Sequence, residues 1–325
     1  MLVLGIECTA HTFGIGIVDC KIKRVIFNEK SQFKNEVGMD PRKLSDFHVA
    51  NFDKILVKAK KYLNSIDKNF SDLDLISFSQ GPGMGNSLKF ASLVAKTLSL
   101  RYNIQIVGIN HIRSHLEIGK MITGFKDPLF LNITGVNSQV IAKDNFGNYK
   151  VYGETEDIGL GNLFDSCARD FGFGFPGGPE IEESAKKSKN YIEFPYTIKG
   201  MNISLAGIHS FVKQKLMKGE KIEDLCYSLQ ETVFAMLMEV AERAIAYTNK
   251  KEFVIVGGVA ANKRFMEMGR EMASLRNCNF DSIPLDLCMD NGAMIAWMGY
   301  VDRKRATFRI KDLKPKPYIT VESDL

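Results

Sequence analysis

Leu2-Val3-Leu4-Gly5-Ile6-Glu7-Cys8-Thr9-Ala10-His11-Thr12-Phe13-Gly14-Ile15-Gly16-Ile17-Val18 opens the chain as strand, tight turn, strand. Short continuous apolar runs bounded by small polar residues mark buried strands. Arg24 to Asn28 reads as a third strand, and a helix follows from Pro41 to Leu63. The plan then repeats. Leu129 to Ile133, the turn Thr134-Gly135-Val136-Asn137, Ser138 to Lys143 and Tyr149 to Gly153 form a second trio, with helices near 162–170, 180–187 and 223–248. Each half also has a strand running through glycines into a helix. In the first, Leu73 to Ser79 meets Gly81-Pro82-Gly83-Met84-Gly85 and a helix from Ser87 to Leu100. In the second, Phe253 to Val256 meets Gly257-Gly258 and a helix from Ala261 to Leu275. Another strand, Ile104 to Val107, and a last helix, Asn291 to Arg303, complete the pattern before an extended tail. The expectation is a duplicated α/β fold of two lobes, 1–123 and 124–325, whose glycine turns face a cleft suited to a nucleotide.

Composition narrows the class. Across 325 residues, 45% hydrophobic and 25% charged content supplies a globular core. No apolar run approaches a membrane span, and Met1 to Glu7 lacks the basic region of a secretion signal, so the expected setting is cytoplasmic with no membrane partner. Six scattered cysteines without a C-x-x-C pair read as reduced thiols. The net charge of +5 is mild, with basic clusters at 21–24, 58–61, 186–189, 213–221 and 303–316. Each cluster reads most simply as a solvated face; together they permit an acidic partner such as RNA.

Chemistry concentrates in Ile109-Asn110-His111-Ile112-Arg113-Ser114-His115-Leu116-Glu117-Ile118-Gly119-Lys120. Asn110 is a good helix cap and Gly119 a plausible end. His111 and His115, four apart, then share one helix face, either as two surface histidines or as ligands of one divalent metal. Asp290, in Cys288-Met289-Asp290-Asn291-Gly292-Ala293, sits at a helix mouth. It serves either as an N-cap or as the carboxylate of a two-histidine, one-carboxylate set suited to Fe(II) or Zn. The turns Thr9 to Thr12, Thr134 to Asn137 and Val256 to Asn262 present backbone N–H groups to phosphates or to an adenosine, as in ATP binding.

These stretches, with Phe78-Ser79-Gln80-Gly81-Pro82-Gly83, Gly153-Glu154-Thr155, Phe175-Pro176-Gly177-Gly178-Pro179, Tyr227-Ser228-Leu229-Gln230-Glu231 and Asp290-Asn291-Gly292-Ala293-Met294-Ile295-Ala296-Trp297, carry a resemblance. Over essentially its whole length the chain resembles the universal tRNA threonylcarbamoyladenosine-forming family, in its archaeal and eukaryotic branch, the catalytic subunit of the KEOPS complex. The resemblance implies the actin-like ATPase (ASKHA) fold, two RNase H-like lobes around a nucleotide cleft. It implies transfer of a threonylcarbamoyl group from threonylcarbamoyl-AMP to N6 of the adenosine beside the anticodon, in tRNAs reading codons that begin with A. It places metal ligands on His111, His115 and Asp290, for one divalent metal, Fe(II) favoured and Zn possible. It places contacts to ATP or threonylcarbamoyl-AMP on Asn132, Ile133, Thr134, Gly135, Val136, Asp165, Gly178, Glu182 and Asn262, with Gly257 and Gly258 in the adenosine turn. Glu7 takes the acidic, candidate catalytic position of the first phosphate turn. Implied partners are tRNA, a small kinase-like subunit, a small dimerising subunit, a further accessory subunit, and an adenylate-forming enzyme that supplies the donor.

The chain departs from its branch at several positions. Asn132 stands where the branch has tyrosine as an additional metal ligand, so an amide oxygen would replace a phenolate. Val136 replaces a glycine, Asn202 an aspartate, and Leu205-Ala206-Gly207 a Phe-Ser-Gly. These changes keep a non-catalytic nucleotide-binding scaffold as the alternative. A metallopeptidase is disfavoured, because Ile112 occupies the place a zincin gives to its general-base glutamate. A small-molecule kinase is disfavoured because Mg²⁺ takes oxygen ligands in preference to imidazoles.

Overall fold

The computed structural model describes residues 1–33, 40–135 and 137–323. The chain forms two compact units, Met1–Ile122 with Met289–Leu325, and Thr123–Cys288. In the first unit β1 (Leu2–Glu7), β2 (Thr12–Asp19) and β3 (Arg24–Gln32) form an antiparallel meander. Then come α1 (Pro41–Ser65), β4 (Leu75–Gly81), α2 (Gly85–Tyr102), β5 (Ile106–Asn110) and α3 (His111–Thr123). The sheet order is β3-β2-β1-β4-β5, with β4 parallel to β1 and β5 parallel to β4. Central β1 and β4 are buried along their whole length; β1 reads as a nearly unbroken apolar run, whereas β4 interleaves Ser77 and Ser79, whose buried hydroxyls are hydrogen-bonded, Ser77 donating to the Leu4 and Ile295 carbonyls and Ser79 accepting from the Cys8 amide.

The second unit repeats this topology. Its strands β6 (Leu129–Ile133), β7 (Ser138–Lys143) and β8 (Tyr149–Glu154) form the meander. Helices α4 (Leu160–Asp170) and α5 (Gly177–Ala185) follow, then the two-residue strands β9 (Ile198–Lys199) and β10 (Asn202–Ile203), then α6 (Ala206–Met217) and α7 (Ile222–Thr248). Next are β11 (Glu252–Val256), α8 (Lys263–Leu275), β12 (Asn279–Ser282) and the single turn α9 (Leu285–Cys288). The order β12-β11-β6-β7-β8, with β11 parallel to β6 and β12 parallel to β11, matches the first sheet strand for strand. The expected α/β duplication is therefore present. The apolar stripe of α7, from Leu225 through Leu229, Val233, Leu237 and Val240 to Ala244, is core packing.

The last helix, α10 (Gly292–Val301), returns to the first unit, so residues 289–325 group with the N-terminal sheet and not with 124–288 as the sequence division had them. The reason is a backbone-on-backbone seat. A Cβ on Gly16 would lie 2.1 Å from the Ala293 nitrogen, and one on Gly292 would lie 2.0 Å from the Gly16 nitrogen. Only glycine lets helix and sheet approach so closely. That seat holds Asp290, two residues upstream of α10, in the first unit.

Candidate metal centre

β5 ends at Asn110 and α3 begins at once with His111. The Asn110 side chain caps the helix as expected, accepting from the Ile112 amide at 3.1 Å and the Arg113 amide at 3.2 Å. One turn on, His115 brings its ring to 4.9 Å from that of His111, centroid to centroid, at 83°. The alternative for Asp290, helix capping, falls to its neighbour: Asn291 caps α10 by accepting from the Met294 amide at 3.0 Å. The Asp290 carboxylate is left to the histidines. Its Oδ1 lies 3.4 Å from His111 Nε2 and 3.2 Å from His115 Nε2. The backbone carbonyl of Asp290 accepts from Lys30 Nζ at 3.2 Å, which ties β3 to the site.

Glu7, at the end of β1, completes the arrangement from behind. Its side chain has no solvent exposure. Oε2 meets His111 Nδ1 at 2.9 Å, and Oε1 accepts from the Thr9 amide at 2.8 Å and the Thr9 hydroxyl at 2.6 Å. Both carboxylate oxygens are engaged, so Glu7 acts through His111. This is the carboxylate–histidine arrangement that fixes a ligand's tautomer and leaves the other nitrogen free for a cation. The electrostatics agree. Burial pushes the His111 imidazolium down, but Glu7 and Asp290 more than reverse this and lift it to about 10. Burial alone would raise Asp290, yet His111 and then His115 hold its carboxyl well below the ordinary carboxylate range.

A metal fits these residues. The three ligand atoms lie within 4.8 Å of one another. Metal–ligand bonds of about 2.0–2.2 Å put neighbouring ligand atoms roughly 3.0–3.5 Å apart, and the two nitrogen–oxygen separations fall in that range. The donor set, two imidazoles and a carboxylate, suits Fe(II) or Zn. Nδ1 of His115 is buried without a partner among the described residues, the tautomer expected while Nε2–H donates to Asp290.

The described nucleotide candidates lie in the second unit: Asn132 to Gly135 and Gly257 to Asn262 at or just beyond the carboxyl ends of β6 and β11, where ligands of α/β sheets bind, and Asp165, Gly178 and Glu182 on α4 and α5. Asn132 pairs with Val256 across β6 and β11, and its Oδ1 is buried with no partner among the described residues. Ile133 ends β6, and its carbonyl is the close neighbour that makes Gly257 obligatory: a Cβ there would sit 2.0 Å away, at a φ of +97°. Thr134 closes its turn by donating from N and Oγ1 to the Asn137 carbonyl at 2.9 and 2.8 Å. The Gly135 carbonyl accepts from the Asn162 amide at 3.0 Å, joining the turn to α4. Val136 lies outside the described residues.

On α4, Asp165 accepts from the Gly177 amide at 2.8 Å, beside Gly178, and burial raises its carboxyl. Glu182 accepts from the Lys263 amide at 3.1 Å, next to Asn262. Gly258 has open space where a side chain would be. Asn262 is more committed than expected: it caps α8 through the Phe265 amide at 3.0 Å and donates to Gln230 at 2.6 Å. Lys30, Gln230 and the Glu231–Arg264 fork (2.7 and 2.9 Å), to which sequence reasoning gave no role, hold candidate site residues or their flanks in place, and Thr9, expected only as part of a phosphate turn, donates its amide and hydroxyl to Glu7. Thr9 was visible in principle, two residues from Glu7 in a turn. Lys30 was not, being separated from Asp290 by most of the chain. Asn202 bonds Glu156 at 3.1 Å, and Asp157 accepts from the Leu205 and Ala206 amides, so those departures stand in a structural turn before α6.

The profile of the family described as TsaD, tRNA N6-adenosine threonylcarbamoyltransferase, matches residues 21–297. The tRNA N6-adenosine threonylcarbamoyltransferase of Nanoarchaeum equitans is 46% identical over 318 residues, covering 98% of both chains. The chain belongs to the tRNA N6-adenosine threonylcarbamoyltransferase family. A second relative, the probable bifunctional tRNA threonylcarbamoyladenosine biosynthesis protein of Methanocaldococcus jannaschii, is 45% identical over 96% of this chain and 57% of its own. Among solved structures, T. kodakarensis HypF matches 93% of this chain and 48% of its own, with a TM-score of 0.64 at 14% identity. That likeness is one of fold alone.

Proposed function

We propose that this chain transfers the threonylcarbamoyl group of threonylcarbamoyl-AMP to N6 of the adenosine beside the anticodon, in tRNAs reading codons that begin with A. The family match over nearly the whole chain supports the reaction, and the alternatives of scaffold and metallopeptidase find no support in it. The observation that carries the site assignment is the meeting of His111, His115 and Asp290, backed by buried Glu7. In this reading those three hold one divalent metal, Fe(II) by preference and Zn as the second choice. A metal held by these three residues would supply Lewis acidity.

The chain's own residues do the rest. Glu7 keeps His111 in the ligating tautomer and is a positioning residue. In the second unit, the Gly135 amide faces phosphate, within the turn that the Thr134 amide closes by donating to Asn137. Asp165 and Glu182, with Gly178 giving backbone access, accept from ribose hydroxyls. Gly257, Gly258 and Asn262 form the adenosine side, and the unpartnered Asn132 oxygen is available to a ligand. A mixed anhydride is already a reactive acyl donor, so the N6 amine needs placement more than activation.

The proposed partners are a small kinase-like subunit, a small dimerising subunit and a further accessory subunit, with a separate enzyme making the adenylate. The bifunctional M. jannaschii relative, of whose length this chain covers 57%, supports a partner domain for that protein. No helix among the described residues is long and apolar enough to cross a membrane, and a cytoplasmic setting is proposed. The test is nucleoside mass analysis of tRNA incubated with this chain, its partners, the adenylate-forming enzyme, threonine, bicarbonate and ATP. Chelation should stop the modification and added Fe(II) restore it; modification unaffected by chelation would remove the metal from the account.

A further inference from the structure

Seven of the sixteen residues 303–318 are Lys or Arg, and one, Asp312, is acidic. The net +6 of this stretch exceeds the +5 of the whole chain, so all other residues together carry −1. The chain's net positive excess thus falls in this stretch, while the other basic clusters are balanced by acidic residues elsewhere. The backbone there is laced to the first unit. Thr307 exchanges two backbone hydrogen bonds of 3.0 Å with Ile106, at the start of edge strand β5. The Lys314 carbonyl accepts from Gln80 Nε2 at 2.7 Å, and the Lys316 amide donates to the Gln80 carbonyl at 2.7 Å. The Pro317 carbonyl accepts from the Gly83 amide at 3.2 Å. Finally the Thr320 carbonyl accepts from Asn110 Nδ2 at 2.8 Å, and Val321 from Arg113 Nε at 2.7 Å.

The segment is therefore a strap. It starts on the open edge of the sheet, crosses the end of β4 beside the Glu7–Thr9 turn, and finishes on the residue before His111 and on the helix that carries both histidines. Its backbone is turned inward and its charges outward. Arg309, Lys311 and Lys314 are exposed, and among the described residues no carboxylate pairs with them or with Lys316. Phe308, between Arg305 and Arg309, is 55% exposed, and Tyr318, two residues after Lys316, is 95% exposed. Covering a sheet edge needs no exposed rings. A fixed track of cations with one ring among them and one at its end matches single-stranded RNA, whose phosphates take the charges and whose unstacked bases take the rings.

We infer that this strap is the surface on which the first unit holds the anticodon loop, next to the candidate metal centre. The inference rests on the tRNA reading above and adds to it the chain's own RNA contact. The test measures binding of a fluorescein-labelled anticodon stem–loop RNA to the full chain by anisotropy across a salt series. Three proteins are compared: the parent, Lys311→Ala/Lys314→Ala/Lys316→Ala, and a control, Lys54→Ala/Lys60→Ala/Lys61→Ala, on α1. Each lost phosphate contact flattens the log–log salt slope by roughly 0.7, so the strap variant should show a slope shallower by about 2. The control should keep the parent's slope. Tyr318→Ala should weaken binding about fivefold with the slope unchanged, since stacking releases no counterions. The proposal is overturned if the strap variant keeps the parent's slope or the control loses as much. It is overturned too if the variants lose binding to polyglutamate as they do to RNA, with Tyr318→Ala silent. Threonylcarbamoyl transfer by the same parent preparation with its partners is scored separately. Its absence would remove the tRNA-modifying reading while the binding data still decide the strap.

Discussion

His111 Nδ1 stands 2.9 Å from Oε2 of Glu7, a carboxylate with no solvent exposure, and this contact turns the other ring nitrogen toward Asp290, 3.4 Å away. A histidine so clamped carries a proton that a metal must displace. With His111 lifted to about 10, that competition extends well above the ordinary histidine range. Metal affinity should keep rising with pH from 6.5 toward 10, by about tenfold per unit for one displaced proton. Competition titrations at successive pH values measure this; a plateau above pH 7 would contradict it.

The same shift sets the pH dependence of the metal-free fold. A group whose folded pKa is raised contributes stability that is complete below its unfolded value, here about 6.5, and is lost as pH rises toward 10. Asp290, held low, contributes stability that is complete above the unfolded carboxylate value and is lost as pH falls through its folded one. Between pH 6.5 and 8.5, below the range of the buried thiols, chelated parent protein should lose stability relative to His111→Gln. Denaturation midpoints of the two proteins that stay parallel across this window would refute the assignment.

Glu7→Gln tests positioning without adding bulk. The amide keeps the shape and loses the charge that holds the His111 proton at Nδ1. Loss of such a supporting carboxylate typically weakens metal binding about 10- to 100-fold. Unchanged affinity in a folded variant would show that Glu7 does not act through His111.

The seat of α10 is a second route to the same site. In Gly16→Ala the new methyl would press on the Ala293 nitrogen from 2.1 Å, so helix or sheet must shift. Overpacking of this kind costs about 1–3 kcal/mol or more, and Asp290 should move with the helix. Thermal unfolding together with metal content checks this; full stability with full metal loading would contradict it.

Asn262 calls for a substitution that respects its cap. Asn262→Ala removes the cap and the Gln230 bond together, with a cost of about 1–2 kcal/mol. Asn262→Ser keeps a capping oxygen and removes only the amide. Nucleotide affinity by calorimetry should fall in Asn262→Ser with the melting temperature near the parent's; unaltered affinity would remove Asn262 from the nucleotide site.

Much of this was legible in the residues. The strand trios showed because central strands buried on both faces leave unbroken apolar runs, and the histidine pair showed because a helix stacks i on i+4. What stayed hidden was long-range. β12 is four residues with little burial, and α6 begins at a turn held by Asp157, so neither has a strong period. The return of 289–325 to the first unit depends on Gly5, Gly16 and Gly292 meeting across the whole chain, which no local pattern encodes. The choice between cap and ligand for Asp290 turned on Asn291, an equally good cap one residue on.

The central claim is that His115 and Asp290 belong to the centre that modifies tRNA. Its most direct test is nucleoside mass analysis of tRNA treated with the complete assembly carrying the parent chain, His115→Ala or Asp290→Ala, with metal content measured on each sample. The account predicts threonylcarbamoyladenosine with the parent, and loss of both metal and product with either variant while the assembly stays intact. Full product from both variants would contradict it.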